Sequence, residues 1–161
     1  MVEDPYKYGG AQTLVVLHEQ YLREFLDVWR TADQRGIALP KTSNPNYESR
    51  AALLAHVLGC AGRYLVWICE QLALPEPEVE QWPDPEDLVP RAEEHMEQVL
   101  EAWRKPLRAL TEERAYEPAH RSRWGPPYCI DAMLEHAVMH PIRHAHQLRQ
   151  LLSDSSQGGA A

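Results

Sequence analysis

The chain has 161 residues and a formal net charge of −8. That length suits one domain with a sizeable core, and the acidity disfavours binding to nucleic acid or to an anionic membrane. No uninterrupted 18-residue apolar run occurs, Met1–Gly10 is too polar for a signal peptide, and three cysteines without framework spacing (Cys60, Cys69, Cys129) suit a reducing cytoplasm.

The first predicted helix runs from about Ala11 to Gln34 and ends at Gly36. Leu14, Val15, His18, Leu22, Phe25, Leu26, Trp29 and Ala32 form one apolar stripe at helical spacing, with His18 near its centre. A histidine there is either buried and hydrogen-bonded or part of a site wall, with Tyr21 as a neighbouring candidate. A turn-rich connection holding Pro40 and Pro45 follows.

The second helix spans about Glu48–Leu72 and is closed by Pro75. Its apolar face holds Leu53, Leu54, Val57, Leu58, Ala61, Tyr64, Leu65 and Ile68, and His56 lies at the edge of that face near Cys60 and Trp67. Alone, an edge histidine such as His56 is more often a surface residue than a ligand. Cys60 is an alternative ligand or a small buried hydrophobe.

Residues 75–87 are rich in proline and acid and read as a loop. A third helix is expected from Pro85–Asp87 to about Leu110, carrying Leu88, Ala92, Met96, Val99, Leu100, Trp103 and Leu107 and disturbed by Pro106. His95 has acidic neighbours and reads as surface. Thr111–Pro127 is an irregular connection; Arg121, Arg123 and Trp124 within it form a surface loop, a lid or an anion contact.

The fourth helix, Tyr128–Leu152, carries His136, His140 and His144 at i, i+4 and i+8. Residues four apart stack on one face, so two imidazoles at that spacing can reach one ion. Ile130, Met133, Leu134, Ala137, Leu148 and Leu151 share one side. His144 falls in the middle of it, His140 at its edge, His136 on the flank and His146 nearly opposite. Core-directed imidazoles need partners, either a metal or hydrogen bonds. Pro141, directly after His140, removes one backbone bond and could bend the helix.

Four amphipathic segments without a strand signal predict an all-α fold, an antiparallel four-helix bundle, as one domain over 1–161 with loose ends at about 1–9 and 153–161. The strings LAHVLGCAGRYLVW and EHAVMHPIRHAHQL resemble the DinB/YfiT-like superfamily. The resemblance implies that bundle and a divalent metal, zinc or nickel, on His56, His140 and His144. Gln147 matches a polar residue that follows the last ligand, and His136 matches a histidine that is not usually a ligand. Proteins of this type include thiol transferases using bacillithiol, mycothiol or glutathione, and many are homodimers. The expectation is a metal-dependent enzyme acting on a small molecule, by S-transfer with a low-molecular-weight thiol or by hydrolysis. Its alternatives are a non-catalytic metal- or small-molecule-binding bundle in a stress response and a plain helical dimer without metal. Neutral imidazole is needed for ligation, so metal occupancy is expected to fall below the ordinary histidine range near pH 6.5.

Overall fold

The computed structural model describes residues 5–157. Most of these are helical: α1 (Gly9–Gln34), α2 (Arg50–Leu72), α3 (Pro85–Leu88), α4 (Ala92–Trp103), α5 (Glu112–Tyr116) and α6 (Ile130–Gln157). The protein is therefore all-α in class, as its apolar stripes predict. Two very short strands, β1 (His120–Arg121) and β2 (Pro127–Tyr128), pair antiparallel with His120 opposite Tyr128.

Local chemistry sets the helix ends. Gly36, at φ 62°, takes the left-handed turn that ends α1. Ser49 caps α2 by accepting from the Ala52 amide at 2.9 Å. At the other end of α2, Ala73 is left-handed at φ 55° and the Leu74 amide bonds the Cys69 carbonyl. Asp84 accepts from the Glu86 and Asp87 amides, with Pro85 at the first helical position of α3.

The third predicted helix is not continuous. The stretch divides into α3, a 3-10 turn at Val89–Arg91, α4, and a second 3-10 turn at Pro106–Ala109. Pro90 and Pro106 supply no backbone N–H at the two breaks, so an unbroken ladder cannot form. The connection expected to be irregular instead holds α5 and the β1–β2 hairpin. Ser153–Gln157, expected as a loose tail, continue α6; residues 1–4 and 158–161 lie outside the described residues. α6 also runs through Pro141 without a break in assignment.

The helices enclose one apolar core in which Leu22, Phe25, Leu54, Leu58, Leu65 and Trp103 are essentially inaccessible. Truncating a buried leucine in such a core to alanine costs about 2–5 kcal/mol. Indole N–H groups stitch the layers: Trp29 donates to the Arg50 carbonyl at 2.7 Å, Trp103 to Ala61 at 3.0 Å, and Trp67 to Arg121 at 3.2 Å. The last of these holds the hairpin on α2. Arg104 on Glu19 and Arg23 on Glu97 link α1 to the α4 segment, but such half-exposed pairs contribute at most about 1 kcal/mol each. α2 does contain an 18-residue window with mean hydropathy 1.5, long and apolar enough to cross a membrane, yet 83% of that window is buried inside the protein. Its apolarity is that of a helix surrounded by others.

Two glycines on α2 let a neighbouring segment come close. A Cβ on Gly59 would lie 2.9 Å from the Gln81 carbonyl oxygen and 3.2 Å from Pro83. Gly62 faces Val79 and Glu80 at ordinary contact distance. Residues 79–83 thus lie directly against α2, and they carry Trp82 onto Arg63, whose guanidinium carbon is 3.9 Å from the indole centroid.

Candidate metal centre

Three imidazoles from two helices converge. His56 projects from the second turn of α2; His140 and His144 project from α6, one turn apart. Ligand nitrogens of the three all lie within 4.8 Å of one another. His140 and His144 are buried and His56 is half-buried. Their faces agree with the helical-wheel reading of α6: His136 is half-buried on the flank and His146 is exposed.

Each ring is oriented by its surroundings. His144 Nδ1 lies 3.0 Å from Gln147 Oε1, so in that contact the ring nitrogen is the donor. Tyr47 donates its hydroxyl to the same Oε1 at 3.1 Å and sits 3.3 Å from His144 Nδ1. Tyr47 reaches this place because Asn44 accepts from the Asn46 amide and caps the 3-10 turn Pro45–Tyr47. With Nδ1 protonated, Nε2 of His144 carries the lone pair, and that buried atom has no hydrogen-bond partner among the described residues. An orphaned, lone-pair-bearing nitrogen aimed at two other imidazoles is what a metal ligand needs.

The remaining separation can be tested against ligand geometry. His56 Nε2 and His140 Nε2 are 3.1 Å apart. Two nitrogens on a tetrahedral ion at about 2.0–2.1 Å would be separated by about 3.3–3.4 Å. Small side-chain adjustments therefore suffice to share an ion. On its other edge, His56 Nδ1 faces Cys60 Sγ at 3.7 Å. The thiol also receives a bond from Arg63 at 2.9 Å. Three neutral nitrogens leave coordination positions open, the pattern of catalytic rather than structural zinc.

Electrostatics keep these rings neutral. Burial pushes His56 down to about 4, helped by the positive ends of His144, Arg63 and Arg143. His144 is lowered to about 4 by burial and then Arg143, against a small opposing effect of Gln147. His140 is held well below the ordinary value of 6.5, by burial first and its neighbours second. Neutral imidazoles are the ligating form.

An aromatic group flanks the cluster. The His136 ring stacks on Trp124 at 5.2 Å, and Tyr64 meets both His136 (5.2 Å) and His140 (5.7 Å) edge-on. Tyr128, in β2 of the hairpin, completes the contact to Trp124 and His136. Burial and then Cys60 push the Tyr64 phenol above its ordinary range, so it stays protonated.

Other candidates fall elsewhere. His18 is buried with its ring 4.3 Å from Trp103, and neither ring nitrogen has a partner among the described residues. Tyr21 is half-buried on α1. His95 is buried at 1% exposure, not on the surface. It lies on the same face of α4 as Ala92, Met96 and Val99, and its Nδ1 is 3.5 Å from Glu80. The acidic neighbours in sequence point away from that face. All three cysteines are free thiols. Sequence reasoning did not find Tyr47, Arg63 and Trp82 as neighbours of the site. Two of these sit on irregular segments, where spacing carries no directional signal.

The chain matches no family model, no curated protein and no solved structure.

Proposed function

We propose that this protein is a divalent-metal-dependent enzyme of the DinB/YfiT-like four-helix-bundle type, with His56, His140 and His144 holding the ion. The observation that carries the reading is the unpartnered Nε2 of His144 facing two further imidazoles, its tautomer set by Gln147 and Tyr47. The buried His18 also has unpartnered ring nitrogens, so the reading rests on the convergence of three imidazoles, whose ligand atoms lie within 4.8 Å of one another. A bound zinc or nickel ion would lower the pKa of a coordinated thiol or water and so supply a nucleophile at neutral pH. The chain's own part is to hold three neutral imidazoles, to keep the Tyr64 phenol protonated beside them, and to wall the site with Trp124 and His136. S-transfer from a low-molecular-weight thiol in the cytoplasm, or hydrolysis of a small molecule, both fit that arrangement.

The test is cobalt(II) substitution followed by titration with a low-molecular-weight thiol. The reading expects one cobalt per chain, a visible spectrum typical of four or five ligands, and a sulfur-to-metal charge-transfer band as thiol is added. Cobalt binding without thiol-induced change would leave hydrolysis to be assayed with ester and amide substrates. Failure to bind cobalt, zinc or nickel would end the proposal.

A further inference from the structure

His144 has its Nδ1 engaged by Gln147 and Tyr47, which leaves Nε2 free to ligate. His56 has a different neighbour at the same atom. Its Nδ1 faces Cys60 Sγ at 3.7 Å, and its Nε2 faces His140 Nε2 at 3.1 Å. His56 and Cys60 are four residues apart on α2, so they stack on one face of the helix. Which nitrogen of an imidazole carries the proton is set by the bond made at the other. For Nε2 of His56 to ligate, Nδ1 must be the N–H, and Sγ must accept from it.

The surroundings of Cys60 suit that role. Arg63 donates Nη2–H to Sγ at 2.9 Å, and a guanidinium has no lone pair to offer in return. The Tyr64 phenol bonds the same sulfur. A thiol is a weak donor beside these N–H and O–H groups. Cys60 is buried, so the sulfur rather than bulk water meets Nδ1. Arg63 is itself fixed from outside. Its Nη1 donates to the Gln81 carbonyl, and the Trp82 indole covers its guanidinium at 3.9 Å. The segment comes that close because position 59 is glycine: a Cβ there would lie 2.8 Å from Arg63 Nη1 and 2.9 Å from the Gln81 oxygen. A continuous chain of contacts thus runs from Gln81 and Trp82 through Arg63 and Cys60 to His56.

We infer that Cys60 is a positioning residue for His56: its sulfur accepts from Nδ1–H, fixes the tautomer and angle of the ring, and presents the Nε2 lone pair to the ion. Cys60 does for His56 what Gln147 does for His144. The inference rests on the metal-site reading and deepens it. It places Cys60 beside the ligand set rather than in it, because the sulfur meets Nδ1 whereas Nε2 is the atom turned to His140.

The test is nitrogen NMR of the histidine rings in metal-free, isotope-labelled protein at pH 7.5, followed by zinc affinity from competition with a chromophoric chelator. In metal-free wild type, His56 should be the Nδ1–H tautomer, a result that needs no variant. Cys60→Ala should shift the ring towards Nε2–H and weaken zinc about tenfold or more. Cys69→Ala, the same truncation at another buried position of α2, should do neither. An Nε2–H tautomer of His56 in metal-free wild type would overturn the inference whether or not the variant folds. So would equal zinc affinity in wild type and folded Cys60→Ala, or an equal loss in Cys60→Ala and Cys69→Ala, which is what packing alone would give. Wild type that binds no zinc while His56 shows the Nδ1–H form would instead count against the metal reading, not against the contact with sulfur.

Discussion

His18 offers a perturbation whose sign and size follow from burial alone. It is 1% exposed, packed on Trp103, and has neither ring nitrogen partnered among the described residues. A buried polar group without a partner costs about 1–3 kcal/mol. Leucine has nearly the same volume, and the repacking penalty for such a swap is usually below about 1.5 kcal/mol. His18→Leu should therefore stabilise the protein by about 1–2 kcal/mol at pH 7.5, raising Tm by about 2–8 °C for a domain of this size. A second signature is acid sensitivity. Burial lowers the folded-state pKa of His18 from 6.5 to about 4. Between those values the unfolded chain binds a proton that the folded chain does not, so stability falls as pH drops from 6.5 towards 4 and levels off below. For a shift of that size the loss is about 3 kcal/mol. His56 and His144 contribute in the same direction, so the variant should lose about one proton's share of the slope rather than all of it. Urea denaturation followed by circular dichroism at pH 7.5, 5.5 and 4.5, with a chelator present, measures both effects. A variant less stable at pH 7.5 with an unchanged pH slope would refute the reasoning and imply a hydrogen-bonded His18.

Gly59→Ala should lower stability by about 1–3 kcal/mol, because the new Cβ meets the Gln81 carbonyl at 2.9 Å. Gly62→Ala, where the nearest atom is 3.4 Å away, should be neutral or stabilising through helix propensity, and thermal melts of the pair decide it. Gln147→Ala should weaken zinc binding about 10- to 100-fold, since it releases the His144 ring while leaving the three ligands in place; competition with a chromophoric chelator reads this out. Metal occupancy should persist at pH 5.5, since His56 and His144 take up protons only near 4. That places the loss below the pH 6.5 expected from an unperturbed histidine, and half-release at pH 6.5 in a chelator-free titration would contradict it.

How much of this was legible in the sequence depends on the element. The stripes of α1, α2 and α6 were readable because each helix buries one face, and the same periodicity placed His140 and His144 inward and His146 outward. His95 was readable by that rule as well, one position from Met96 on the apolar face of α4; weighing its acidic neighbours in sequence hid it. The breaks in the third segment follow from Pro90 and Pro106, of which only the second was used. The last turn of α6, Ser153–Gln157, is polar throughout and gives no periodic signal. Tyr47, Trp82 and Trp124 reach the site neighbourhood from a 3-10 turn, a loop and a hairpin. Their positions depend on caps and close backbone contacts such as that at Gly59, which a spacing argument does not encode.

The central claim is that His56, His140 and His144 share one ion. Zinc per chain, measured on untagged protein for single alanine variants at each of these positions and at His136 and His146, tests it most directly, with helicity checked by circular dichroism. The account predicts near-stoichiometric zinc in wild type and His146→Ala and its loss in folded His140→Ala and His144→Ala. His56→Ala should lower affinity at least as strongly as Gln147→Ala. Full zinc content in folded His144→Ala, or loss of zinc in His146→Ala alone, would contradict it.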